Sequence, residues 1–141
     1  MDTYYEGFPL CLSFYLFVCR DLSTQEAYFR QTEGFMIAFS ITSKESFYVA
    51  LGLRKRIRKE TGIERLCSPT VLVGTKCDLY QQREVTQDEA QHLAMDWNCP
   101  YLETSALQRT NIEETICEMV REIRKMSDDK YTKRGGGCAL L

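Results

Sequence analysis

The chain has little histidine, tryptophan or proline: one, one and three residues among 141. A Ser-His-Asp or Cys-His hydrolase would have to rest on His92 alone, and no G-x-S-x-G turn accompanies it. A half-buried helix residue is the preferred reading of His92. Charge of one sign is also lacking. Lys and Arg number 18 against 20 Asp and Glu, a net charge of −2, which argues against a globally basic nucleic-acid binder. The seven cysteines are an odd number, without a C-x-x-C pair or a Cys/His cluster. That points to a reducing compartment rather than a disulfide framework or a structural zinc site. With 44% hydrophobic and 27% charged residues, what remains is one globular domain.

The longest apolar run is Pro9–Cys19, PLCLSFYLFVC. It is shorter than the roughly 20 residues of a membrane span. Asp2 and Glu6 precede it where a signal peptide would carry basic residues. Its aromatic and branched content suits a buried strand, or a pair of strands with a tight bend. A segment foreign to the domain is the alternative.

From residue 33 the pattern is regular. Phe35–Ile41 reads as a fully buried strand. Thr42-Ser43-Lys44-Glu45 matches a capping box, and Phe47, Ala50, Leu51 and Ile57 line one face of the helix it opens. Arg54, Lys55, Arg56, Arg58 and Lys59 crowd the other faces and read as a solvated surface. A second strand follows Pro69, over Thr70–Gly74. Thr86–Glu89 is a second capping box, before a helix with Ala90, Leu93, Ala94 and Trp97 on one face. Tyr101–Thr104 is a third strand. Thr110–Glu113 is a third capping box, before a helix striped by Ile112, Ile116, Met119, Val120 and Ile123. Strand and helix alternate three times, which predicts an α/β domain with a parallel sheet and right-handed crossovers.

Such sheets bind ligands beyond the carboxyl ends of their strands. Thr75-Lys76-Cys77-Asp78 and Ser105-Ala106-Leu107 occupy those positions. A carboxylate such as Asp78 accepts two parallel hydrogen bonds from a planar N–H/NH2 edge, which guanine offers and adenine does not. A backbone N–H of the second loop can donate to the guanine O6, and the Lys76 stem can lie along the base plane.

VLVGTKCDL followed by ETSAL resembles the guanine-recognition loops of Ras-superfamily small GTPases. YFRQTEGFMIAFSITSKESF and VREIRK resemble the Ras, Ral and Rap branch, nearest to Ral. The resemblance implies a three-layer P-loop-NTPase-like fold and a guanine site of Thr75, Lys76, Asp78, Ser105, Ala106 and Leu107. Thr75 stands where most members have Asn and Leu107 where Ras-type members have Lys, as in the Rho branch. Asp21–Glu26 keeps the spacing of the family's D-T-A-G-Q-E, which would make Asp21 a Mg²⁺-side ligand and Gln25 the residue that orients the attacking water. Thr24 replaces that motif's glycine, and a chance match is the competing reading.

The phosphate cradle G-x-x-x-x-G-K-[ST] is missing from these residues, because no glycine in the chain is followed by lysine. The stretch before Tyr28 is also too short for the family's first strand, P-loop, first helix and second strand. The expectation is therefore an N-terminally truncated domain. It would come from an alternative transcript or a mispredicted gene, with segment 1–20 divergent, 21–126 a partial small-GTPase domain and 127–141 a flexible basic tail.

Cys138-Ala139-Leu140-Leu141 fits a C-a-a-X box for geranylgeranylation of Cys138. Residues 121–134 carry an excess of three positive charges, which adds attraction to anionic lipid. The implied ligands are GTP or GDP with Mg²⁺. The implied partners are effector and regulator proteins and the cytoplasmic face of a membrane, the plasma membrane first. Two functions follow as expectations. One is a membrane-tethered GTPase switch; the other is a lipid-anchored interaction module without catalysis.

Overall fold

A computed structural model describes Phe29, residues 32–61 and residues 68–134. It contains strand β1 (Phe35–Ser40), helix α1 (Lys44–Thr61), strand β2 (Thr70–Thr75) and a 3-10 segment (Cys77–Gln82). Helix α2 (Gln87–Trp97), strand β3 (Tyr101–Glu103) and helix α3 (Ile112–Arg134) complete it. The strands are parallel in the order β1-β2-β3. Phe35 lies opposite Thr70, and Leu72 opposite Tyr101.

Two cores flank the sheet, giving three layers. On one face Phe35, Ile37, Phe39 and Ile41 pack with Phe47, Ala50 and Ile57 of α1 and Ala90 and Ala94 of α2. On the other, Val71 and Val73 meet Met119 and Ile123 of α3. The alternation of the two parities along each strand dictates this division. Gly74 allows a close approach. A Cβ there would stand 2.6 Å from the Tyr101 hydroxyl and 3.1 Å from Ile41 Cγ2, so the Tyr101 ring could not keep its place over a larger residue.

Several expectations need correction. β1 is half-buried rather than fully buried: Phe35, Ile37 and Phe39 are enclosed, whereas Ala38 is exposed and Met36 intermediate. Only the Thr86–Glu89 box forms, with both reciprocal bonds present. Helix α1 is capped one residue later than expected, by Ser43 Oγ accepting from the Ser46 amide at 3.2 Å. The Thr42 amide donates to Ser40 Oγ at 3.3 Å rather than to Glu45, and the Lys44 amide donates to Glu84. Thr110 does not cap α3, because its backbone bridges Ser105, and α3 opens at Ile112 behind Asn111. His92 is exposed. Arg54 leaves the solvated basic run altogether. It is 5% exposed, donates to Thr70 Oγ1 at 2.6 Å and lies 5.6 Å over the Trp97 ring. Helix α3 continues to Arg134, past the boundary set at residue 126. The expected Pro9–Cys19 strand lies outside the described residues, as do Asp21, Gln25 and Cys138.

Candidate guanine-base site

The carboxyl ends of β2 and β3 are tied by their own backbones. The Thr104 amide donates to Gly74 O at 2.8 Å, and the Cys77 amide to Thr104 O at 3.0 Å. Between these bonds Lys76 adopts a left-handed conformation, φ 62°, which turns the chain sharply into the 3-10 segment. Asp78 is thereby delivered beside the second loop. That loop is closed by reciprocal Ser105 and Thr110 backbone bonds of 3.2 and 2.9 Å.

One side-chain bond joins the two loops. Ser105 Oγ donates to Asp78 Oδ1 at 2.6 Å and accepts from the Gln108 amide at 3.1 Å. Ser105 is fully buried, so it orients the carboxylate from behind. Among the described residues no hydrogen bond reaches Asp78 Oδ2, and the carboxylate keeps acceptor capacity toward the cleft.

The cleft measures about 480 Å³. Thr75, Lys76, Asp78, Ala106 and Leu107 line its rim, and Thr104 joins them. Five of the six residues expected in the guanine site thus share one cavity, and the sixth, Ser105, holds Asp78 from beneath. Thr75 Oγ1 donates to Phe39 O at 3.0 Å, so this hydroxyl secures the end of β1. Leu107 is 83% exposed and offers an apolar flank. Burial first, then Glu103 and Asp78, push the pKa of the Cys77 thiol up.

Sequence reasoning missed the brace beneath the loops. Arg83 Nη1 and Nη2 reach Glu103 Oε1 and Oε2 at 2.7 and 2.8 Å. Tyr101 Oη donates to Glu103 Oε1 at 2.8 Å. This bidentate pair ties the exit of the 3-10 segment to the residue before Thr104. Its partners are 20 residues apart and no local pattern announces them. The Arg83 bonds hold the Glu103 carboxyl below the usual carboxylate range, against the effect of burial. Burial, then the bond to Glu103, raises the Tyr101 phenol far above its usual value.

A pH dependence follows from Glu103. A lowered folded pKa stabilises the fold above the unfolded glutamate value of about 4.3, and that stabilisation is lost as pH falls through the folded value. Urea midpoints should therefore drop between pH 6 and pH 3 by more in the native protein than in Glu103→Gln. Equal drops would remove the pair from the account of acid stability.

The model of the Ras family matches residues 22–125. The chain belongs to the Ras family. It is also similar to Ras-related protein Ral-a of Drosophila melanogaster, 42% identical over 128 residues. That alignment covers 83% of this chain and 63% of the relative, so the chain spans less than two thirds of the length of the curated protein it matches. The described strands and helices are those of an α/β Ras-family domain. The loops on the Ras-family pattern, Thr75–Asp78 and Ser105–Leu107, are the ones that the cleft brings together.

Proposed function

We propose that the chain recognises the guanine moiety of GTP or GDP, as part of a Ras-type, membrane-anchored switch. The observation that carries this reading is the 2.6 Å bond from Ser105 to Asp78. It fixes a carboxylate at the mouth of a cavity large enough for a purine. In this reading the Asp78 carboxylate accepts from guanine N1–H and N2–H2, the Ala106 amide faces O6, and the Lys76 stem covers one side of the ring.

Guanine fits the donor and acceptor pattern of these residues. The phosphates and Mg²⁺ are another matter. Asp21 and Gln25, the residues that the resemblance assigns to Mg²⁺ and water, lie outside the described residues, and Lys76 is the one cation among the described lining residues. The same lining favours a second reading, an interaction module that keeps base recognition without a phosphate-driven switch.

Nucleotide content separates the two. The purified chain is denatured and the released nucleotide identified. Stoichiometric GDP or GTP supports the switch. No released nucleotide, with guanosine still outcompeting adenosine in a titration, supports the module. Equal binding of guanosine and adenosine defeats both.

Anchoring is proposed through a prenyl group on Cys138, supported by the Cys-Ala-Leu-Leu sequence and the basic excess over 121–134. A single prenyl chain plus basic residues gives reversible attachment. Cys138→Ser should move the protein from the membrane pellet to the soluble fraction. An unchanged distribution would remove the anchor from the proposal. Effector and regulator proteins are expected partners of the switch reading.

A further inference from the structure

Helix α1 buries Phe47, Ala50 and Ile57 against the sheet and turns its other face to solvent. On that face Tyr48 is 60% exposed and Val49 52%, and Glu45, Gly52, Lys55 and Lys59 are exposed with them. Residues 45, 48, 52, 55 and 59 recur at steps of three and four, so they form one stripe along the helix. It is about four turns, roughly 21 Å, long. Gly52 stands at its middle. Glycine is a poor residue for a helix interior, and among the described residues nothing comes within 4 Å of a Cβ built there. The packing of α1 on its own sheet therefore does not call for glycine at this position, whereas close approach of a second backbone does. The stripe is also complementary to its own reverse. Seven residues to either side of Gly52 are Glu45 and Lys59, four to either side are Tyr48 and Arg56, and eight to either side are Lys44 and Glu60. Two of these couples are opposite charges, and the third is an aromatic ring with a guanidinium, which attract one another.

We propose that this face of α1 docks a second copy of the same chain, the two helices running antiparallel about a two-fold axis at Gly52. Glu45 of each copy then meets Lys59 of the other, and Tyr48 of each meets Arg56 of the other, as a two-fold contact requires. Gly52 lets the backbones approach at the crossing, and Val49 and the Lys55 stem flank it. The sign pattern selects this occupant. An acidic partner surface would be repelled by Glu45 at one end of the stripe, and a basic one by Lys55 and Lys59 at the other. A reversed copy meets the opposite sign at both ends. One helix pair is smaller than the roughly 1,200 Å² of a stable interface, so the dimer is weak and reversible. α1 lies on the sheet face opposite α3, and the guanine cleft is lined from the α3 side, so pairing leaves the cleft open. The inference rests on neither the guanine reading nor the anchor.

Sedimentation equilibrium of the full, unprenylated chain tests it. With rising concentration the average mass should climb toward twice that of one chain, and less steeply at high salt. Glu45→Lys and Lys59→Glu should each weaken pairing at least about 10-fold, because each sets two like-charge contacts in the dimer. Mixed in equal amounts, the two variants should pair with each other about as well as the native chain pairs with itself, since every contact then joins opposite charges again. A variant that had merely unfolded could not be rescued in this way. Gly52→Leu should melt no lower than the native chain, because leucine favours helix and the space is open, yet its pairing should be lost. A native chain that stays monomeric at every concentration would overturn the proposal. So would pairing that none of the three variants weakens, which would put the contact on another face, and so would a mixture of the two charge variants that stays monomeric.

Discussion

Asp78→Ala should abolish the preference for guanine over adenine. A hydrogen bond to a charged acceptor contributes about 1.5–3 kcal/mol, and this carboxylate offers two to the guanine edge. The preference for guanosine over adenosine should fall by at least about 100-fold, some 2.7 kcal/mol. Loop structure should survive, because Ser105 keeps its bond from the Gln108 amide and its backbone pair with Thr110. Asp78→Asn makes the sharper test. Its amide accepts at one atom and donates at the other, which matches xanthine, whose C2 oxygen replaces the guanine amino group. Ser105 Oγ can still donate to the Asn oxygen. Competition by xanthosine should therefore rise as guanosine competition falls. A variant that still prefers guanosine would remove Asp78 from base recognition.

The elements were legible because each rests on local chemistry. The runs Phe35–Ile41 and Thr70–Gly74 are short, apolar and bounded by turn residues, and all three helices carry one apolar face. The base loops were legible through their order at successive strand ends. What sequence could not supply was which competing bonds would win. The Thr42 and Thr110 boxes satisfied a spacing rule but lost to other partners. Ser40 Oγ took the Thr42 amide, and the Ser105 bridge took Thr110. The half-burial of β1 had the same origin. Composition predicts how apolar a strand is, not which neighbours reach it. No local pattern joins Arg83 to Glu103, because their meeting depends on the sheet register and on the turn at Lys76.

Arg54 shows the same limit most strongly, and the second large effect is expected there. It lies in a run of five charged residues, yet its guanidinium is enclosed between Thr70 and Trp97. Truncating this buried side chain leaves a void and removes its bond to Thr70. Arg54→Ala should cost about 3 kcal/mol of unfolding free energy. Arg54→Met fills most of the volume without a charge. Thr70 Oγ1 would not be stranded by it, because that hydroxyl already donates to Ser68 O at 2.7 Å. The Met variant should thus recover the part of the loss that comes from the void. Lys55→Ala, an exposed neighbour in the same run, should change stability by less than about 0.5 kcal/mol. Chemical denaturation of the three variants separates packing from charge. If Met is as damaging as Ala, the guanidinium itself holds α1 to β2 and the volume argument fails. If Ala is as mild as the Lys55 variant, Arg54 is solvated after all, and the enclosure between α1, β2 and α2 is wrong.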